Sequence, residues 1–125
     1  MIYLKSHGFK FSRPEANVVF DVSYFSNPWR DPEIRKLSSS ESDGKKLKKM
    51  IEDYMAKQEG IAAFISSVIE VIEVYNYLYP DENVIVAFCC SAGEYRSPAI
   101  VEIVAKDLKR KRIEHQIIHS QFSKI

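Results

Sequence analysis

The stretch Cys90-Ser91-Ala92-Gly93-Glu94-Tyr95-Arg96-Ser97 holds the residues best suited to chemistry, in a Cys-x5-Arg-Ser pattern. Its physics suits an anion. Small side chains at Ser91, Ala92 and Gly93 let the backbone curl so that several N–H groups meet at one point. A helix following the loop adds its positive end, and the planar fork of Arg96 grips phosphate with two parallel bonds. Cys90 would lie beneath that anion, where the helix terminus and Arg96 favour its thiolate form. Ser97 would bond the thiolate and cap the helix. The spacing alone is a weak signal, since it also fits a strand-to-helix turn with a structural Cys and a surface Arg. Its context carries the weight: an apolar run before, Ser-Pro after, and small residues within.

The same loop has an alternative use in a Cys-dependent phosphatase. There the thiolate attacks phosphorus and a carboxylic acid protonates the leaving oxygen. Asp31 and Asp21 are the candidate acids. Glu94, inside the loop, opposes a bound dianion unless it turns to solvent. Asn27 precedes Pro28, which biases it to an extended backbone; its amide is free either to meet a ligand hydroxyl or to close an Asx-type turn. His7, His115 and His119 lack metal-ligand spacing, and no metal or cofactor is expected; His119, near a strand end, could reach a pocket. Lys45, Lys46, Lys48 and Lys49 read as a solvated helix face. Lys106, Lys109, Arg110, Lys111 and Arg112 end a helix, where cations suit the dipole, with contact to RNA phosphates as the second reading.

The elements that must position this loop follow from periodicity. Ile2 to Phe9 and Val18 to Phe25 alternate as strands do, with Arg13-Pro14-Glu15 as the turn region between them. Pro28, Pro32, the serine run and Gly44 make Ser26 to Gly44 a long loop, either a binding loop or a surface excursion. Leu47, Met50, Ile51, Tyr54 and Met55 mark a helix that Gly60 stops. Ile61, Phe64, Ile65, Val68, Ile72, Tyr75 and Tyr79 mark a second, ended by Pro80. Val84 to Cys89 is a continuous apolar run, as in a strand covered on both faces. A helix opens at Ser97-Pro98 with Ile100, Val101, Val104, Ala105 and Leu108 buried, Ile113 to His119 is a last strand, and a short polar tail closes the chain. The order argues a single-domain α/β sandwich, residues 1–125, around a mostly parallel sheet.

Composition agrees. The chain has 125 residues, 46% of them hydrophobic, with 18 Lys plus Arg against 17 Asp plus Glu and a net charge of +1. That balance excludes bulk electrostatic nucleic-acid binding but leaves room for a local basic stripe. No transmembrane helix or signal peptide is expected. Both cysteines are adjacent, which argues a reducing, cytoplasmic setting.

With these residues in hand, the chain resembles the C-terminal domain of the RapZ (YvcJ) family of bacterial RNase adapter and nucleotide-binding proteins, from about Ser6 to His119. The family's Gly-Phe-Lys stands at Gly8-Phe9-Lys10, its Phe-Asp-Val-x-Phe-x-x-Asn-Pro at Phe20 to Pro28, and its Gly-Cys-Thr-Gly-Gly-Lys-His-Arg-Ser loop at Cys89 to Ser97. Its Ser-His near the last strand corresponds to Ile118-His119. The resemblance implies a phosphofructokinase-like α/β domain whose loop holds the phosphate of an amino-sugar phosphate and which contacts small RNAs. Cys90, Ser91, Gly93, Arg96 and Ser97 carry over directly. Glu94 and Tyr95 replace the family's Lys and His, and Phe11 stands where a His or Tyr follows Gly-Phe-Lys. No Walker A pattern occurs in these residues, and the family's basic tail is replaced by Ser120 to Ile125. Phosphate recognition is expected to survive these departures; amino-sugar specificity is expected to weaken, and RNA delivery more so. The expected partner is a phosphorylated small molecule (a sugar phosphate or nucleotide) or RNA, with no membrane and with homo-oligomerisation left open.

Overall fold

The computed structural model describes residues 1–40 and 44–121; residues 41–43 and 122–125, the latter including most of the polar tail, lie outside the described residues. Four strands, β1 (Ile2–Gly8), β2 (Val18–Asp21), β3 (Val84–Cys90) and β4 (His115–His119), form one sheet in the order β2-β3-β1-β4. Every pairing is parallel. Four α-helices, α1 (Pro32–Ser38), α2 (Gly44–Ala56), α3 (Ile61–Leu78) and α4 (Arg96–Arg110), complete the described architecture with a short 3-10 turn at Pro28–Arg30. The expected α/β class with a parallel sheet is the one observed.

The period-2 pattern explains which face meets the helices. Ile2 and Leu4 of β1 share a face with Val84, Val86 and Phe88 of β3, and all are buried in the core. Phe20 of β2 lies on the same face, its ring 5.5 Å from Phe88 and 5.7 Å from Phe64 of α3. α4 packs over β1, β3 and β4 through Ile100, Val101, Val104 and Leu108, all inaccessible to solvent. α2 docks on α4, where Lys106 reaches the buried Glu52 at 3.3 Å. α3 has the length and apolar composition of a membrane span. Yet Ile61, Ile65, Val68, Ile69 and Ile72 are buried in this core, and one apolar stripe of a core helix passes the same test.

Four points differ from the sequence reading. Strands β1 and β2 are not hairpin neighbours, since β3 lies between them. The turn falls at Phe9 to Phe11 rather than at Arg13 to Glu15, and residues 9–17 carry the chain across β3 without a helix. β2 ends at Asp21, whose Oδ1 accepts from the Ser23 N–H and hydroxyl and turns the chain away. The loop expected over Ser26 to Gly44 contains the 3-10 turn and α1. The prolines do not break these elements: Pro28 and Pro32 stand at their first positions, where a missing N–H costs nothing and the fixed φ fits. Asn27 and Asp31 cap them, accepting from Trp29 N–H at 3.0 Å and Glu33 N–H at 2.9 Å.

β1 and β3 finish together, with Gly8 opposite Cys90. A Cβ on Gly8 would lie 2.5 Å from the Ala92 carbonyl carbon, and one on Gly93, at φ +72°, would lie 2.8 Å from the Gly8 nitrogen. Here two backbones touch with no room for a side chain. Gly8→Ala is therefore expected to lose about 1–3 kcal/mol of stability in urea unfolding, the scale of overpacking at a rigid contact. A loss under about 0.5 kcal/mol, the range of inconsequential surface changes, would show that the contact yields easily.

Candidate functional site

The carboxyl ends of parallel strands are where α/β sheets bind ligands. In this sheet those ends bring together Gly8, Asp21 and Cys90 with the loops that follow them. Phe9 N–H donates to the Cys90 carbonyl at 2.8 Å and Lys10 N–H to the Ser91 carbonyl at 3.0 Å. The turn after β1 thereby holds one side of the Ser91 to Tyr95 loop. Gln121, just past β4, secures the end of β1 itself, its Oε1 accepting from Gly8 N–H at 2.7 Å.

The loop runs directly into α4. Among the described residues, the backbone N–H groups of Ser91, Ala92, Gly93, Glu94 and Tyr95 have no protein acceptor. α4 begins at Arg96 with Tyr95 as N-cap and no side-chain cap. Ser97 is thus not the cap that the Ser-Pro pattern suggested; it lies in the first turn, fully buried, and its Oγ accepts the Cys90 thiol at 3.3 Å. Cys90 is itself only 2% exposed. Its neighbour Cys89 faces the opposite side of the sheet, and burial pushes its thiol up to about 11, with Cys90 and Asp21 adding to the effect and Lys5 opposing it. Cys89 is therefore protonated and unreactive at neutral pH.

Arg96 connects the loop to a second wall. One guanidinium nitrogen, Nη1, donates to the carbonyls of Ser23 at 2.6 Å and Phe25 at 3.3 Å, while Nη2 lies 3.4 Å from Ser91 Oγ. Beside it opens a cleft of about 550 Å3 lined by Ser23, Tyr24, Asn27, Trp29, Arg30 and Arg96, among others. Asn27 and Arg96 therefore share one cleft. Asn27 Oδ1 is engaged by Trp29 N–H, so the Asx-type turn is formed at the cleft wall.

The other sequence candidates are placed differently. Asp21 stands at the end of β2 with its carboxylate bonded to Ser23. The Asp31 carboxylate caps α1. Glu94 is half-buried and makes no ion pair among the described residues. His119 faces the helices instead of the loop: Nδ1 lies 2.6 Å from Ser6 Oγ and Nε2 lies 3.3 Å from Glu102. Sequence reasoning passed over Tyr24, Trp29 and Gln121. The signal for Trp29 was an aromatic beside Arg30 inside Asn27-Pro28-Trp29-Arg30-Asp31-Pro32, hidden by treating that segment as loop; Tyr24, on the turn after β2, carried no comparable signal.

A two-layer α/β domain with a glycine-pinned loop between a buried strand and a helix N-terminus is the class that fold and site define. Residues 1–123 match the family model described as the RapZ C-terminal domain, and the chain belongs to that family. Similar relatives include nucleotide-binding proteins of Carboxydothermus hydrogenoformans, 29% identical over 98% of this chain, and of Bifidobacterium adolescentis, 32% identical over 88% of it. The chain spans 42% and 34% of those relatives' own lengths.

Glu102 supplies a pH test of the His119 anchor. The bond from His119 holds its carboxyl below the usual range, burial opposes this, and Lys48 and Lys106 reinforce it. A carboxylate with a lowered folded pKa contributes stability above its unfolded pKa, about 4.3, and that stability is lost as pH falls through the folded value. Wild type is thus expected to lose on the order of 1 kcal/mol more than Glu102→Gln between pH 6 and pH 3. Parallel pH profiles in urea titrations would show that the pair contributes nothing.

Proposed function

We propose that this chain binds a phosphorylated ligand without chemistry, its phosphate held by the N–H groups of Ser91 to Ser97 at the α4 N-terminus and by Arg96. The observation that carries this reading is the row of loop N–H groups with no acceptor among the described residues, beside a guanidinium, at the end of a 15-residue helix. Backbone donors of this kind bind anions, and the helix end favours negative charge. Sugar phosphates, nucleotides and RNA phosphates all present that group. The names of the relatives, which extend well beyond this domain, favour a nucleotide.

Several placements support binding over turnover. The Cys90 sulfur is buried and bonded to Ser97. The two aspartates that could act as general acid hold turns instead, Asp31 at α1 and Asp21 at Ser23. Hydrolysis needs an exposed nucleophile and an acid near the leaving oxygen.

Millimolar inorganic phosphate is expected to raise the melting temperature, by about 1.4 kcal/mol of added stability at tenfold its Kd. Arg96→Ala lowers basal stability too, because it loses the Ser23 and Phe25 bonds. The informative readout is therefore the phosphate-dependent increment, which is expected to vanish. An equal increment in both proteins would place the anion elsewhere.

Cys90→Ser separates binding from catalysis. It is expected to keep the phosphate increment, and neither protein is expected to hydrolyse an aryl phosphate. Turnover by the wild type that disappears in Cys90→Ser would establish the phosphatase instead.

A further inference from the structure

Beside the phosphate loop, the chain exposes aromatic surface where a simple anion site needs none. Tyr24 is 90% exposed and Trp29 43% exposed, although large aromatic rings gain more from burial than any other side chain. Both line the cleft that Arg96 and Arg30 border. Trp29 is also held in place. Its ring lies 5.8 Å from that of Tyr95, tilted by 39°, and its backbone N–H is fixed by Asn27. The prolines at 28 and 32 and the two capped turns stiffen the segment that carries it. A rigid, half-exposed indole is preorganised to receive a planar partner at low entropic cost.

The link to the phosphate loop runs through a ring contact and through hydrogen bonds. Tyr95, under Trp29, is itself a loop residue, and Arg96 touches Ser91 with one nitrogen and the Tyr24 turn with the other. We infer that Trp29, with Tyr24 at the rim, is a stacking platform for a nucleobase, so that the ligand of this site is a nucleoside 5′-phosphate. The inference rests on the phosphate reading above and names its ligand class. A sugar phosphate has no π-face to offer Trp29, whereas every base does, and bases stack on aromatic and guanidinium planes alike. The Asn27 side-chain nitrogen, which makes no bond among the described residues, lies in the same cleft and can donate to the ribose or a base edge.

The chain contains a single tryptophan, so its fluorescence reports this platform alone. The full chain would be titrated with AMP, GMP, ribose 5-phosphate, inorganic phosphate and adenosine, following emission and calorimetric heat. Nucleotides are expected to quench Trp29 and to bind about tenfold or more tighter than ribose 5-phosphate, the increment of one stacked base. By calorimetry, Trp29→Leu is expected to bring AMP down to the ribose 5-phosphate affinity, Trp29→Phe to retain most of the increment, and both to keep the wild-type phosphate response. Equal binding of AMP and ribose 5-phosphate without quenching would overturn the platform and leave the phosphate site standing. Quenching by adenosine as strong as by AMP, with no response to phosphate, would remove the phosphate site and with it the nucleotide assignment. No response to any of these probes would overturn both. A 5′-phosphorylated tetranucleotide distinguishes the source of the ligand: binding no tighter than AMP assigns the site to free nucleotides, and binding at least tenfold tighter assigns it to a strand end.

Discussion

The backbone contact between Gly8 and the Ala92–Gly93 peptide is the constraint on which the rest of the site depends. It exists because β1 and β3 are parallel neighbours that end in register. Two chains leaving one edge at the same level must diverge or press together, and here they press together. Only glycine permits it at either position: a Cβ would meet backbone atoms at 2.5 Å from one side and 2.8 Å from the other. The consequence is a loop whose start is fixed by backbone bonds from the turn after β1, while its own N–H groups from Ser91 to Tyr95 have no protein acceptor among the described residues. Those donors keep their alignment without a ligand, and preorganised donors bind an anion at less entropic cost than mobile ones.

Behind the loop, the core explains why the arrangement is rigid. Cys90 and Ser97 close the gap beneath it, buried and bonded to each other, so the helix start cannot slide along the strand end. Arg96 then ties α4 to the turn after β2, and α4 is held across the sheet by apolar residues that no solvent reaches. The His119, Ser6 and Glu102 bonds fasten β4, β1 and α4 on the same side. A motif that resembles a nucleophile loop is thus also a strut, and recognition is the chemistry we propose for it.

Much of this was legible in the sequence, and the failures have physical causes. The apolar run at Val84 to Cys89 and the stripe at Ile100, Val101, Val104 and Leu108 gave their elements directly, because burial demands those periodicities. The loop pattern, with its small residues and Arg96, singles out the strand-to-helix turn that we propose as the site. Asn27 was read with both its outcomes, and the structure shows the turn formed within the cleft. Pro28 and Pro32 misled, because proline is a breaker inside a helix but a starter at its first position, and no composition rule separates the two. Pairing was hidden too: nothing local at Phe9 to Asn17 reveals that β3, a distant segment, inserts between β1 and β2. His119 was sought in a pocket because its strand ends at the right edge, but side-chain direction depends on register, which places it beside Ser6.

The most direct test of the central claim is a backbone amide NMR titration of the full chain with inorganic phosphate. The account predicts saturable shifts concentrated in the N–H groups of Ser91 to Ser97, with smaller ones at Gly8 and Ser23, which contact the loop and Arg96. Shifts centred on the lysines of α2 or the basic end of α4, with the loop amides unmoved, would contradict it.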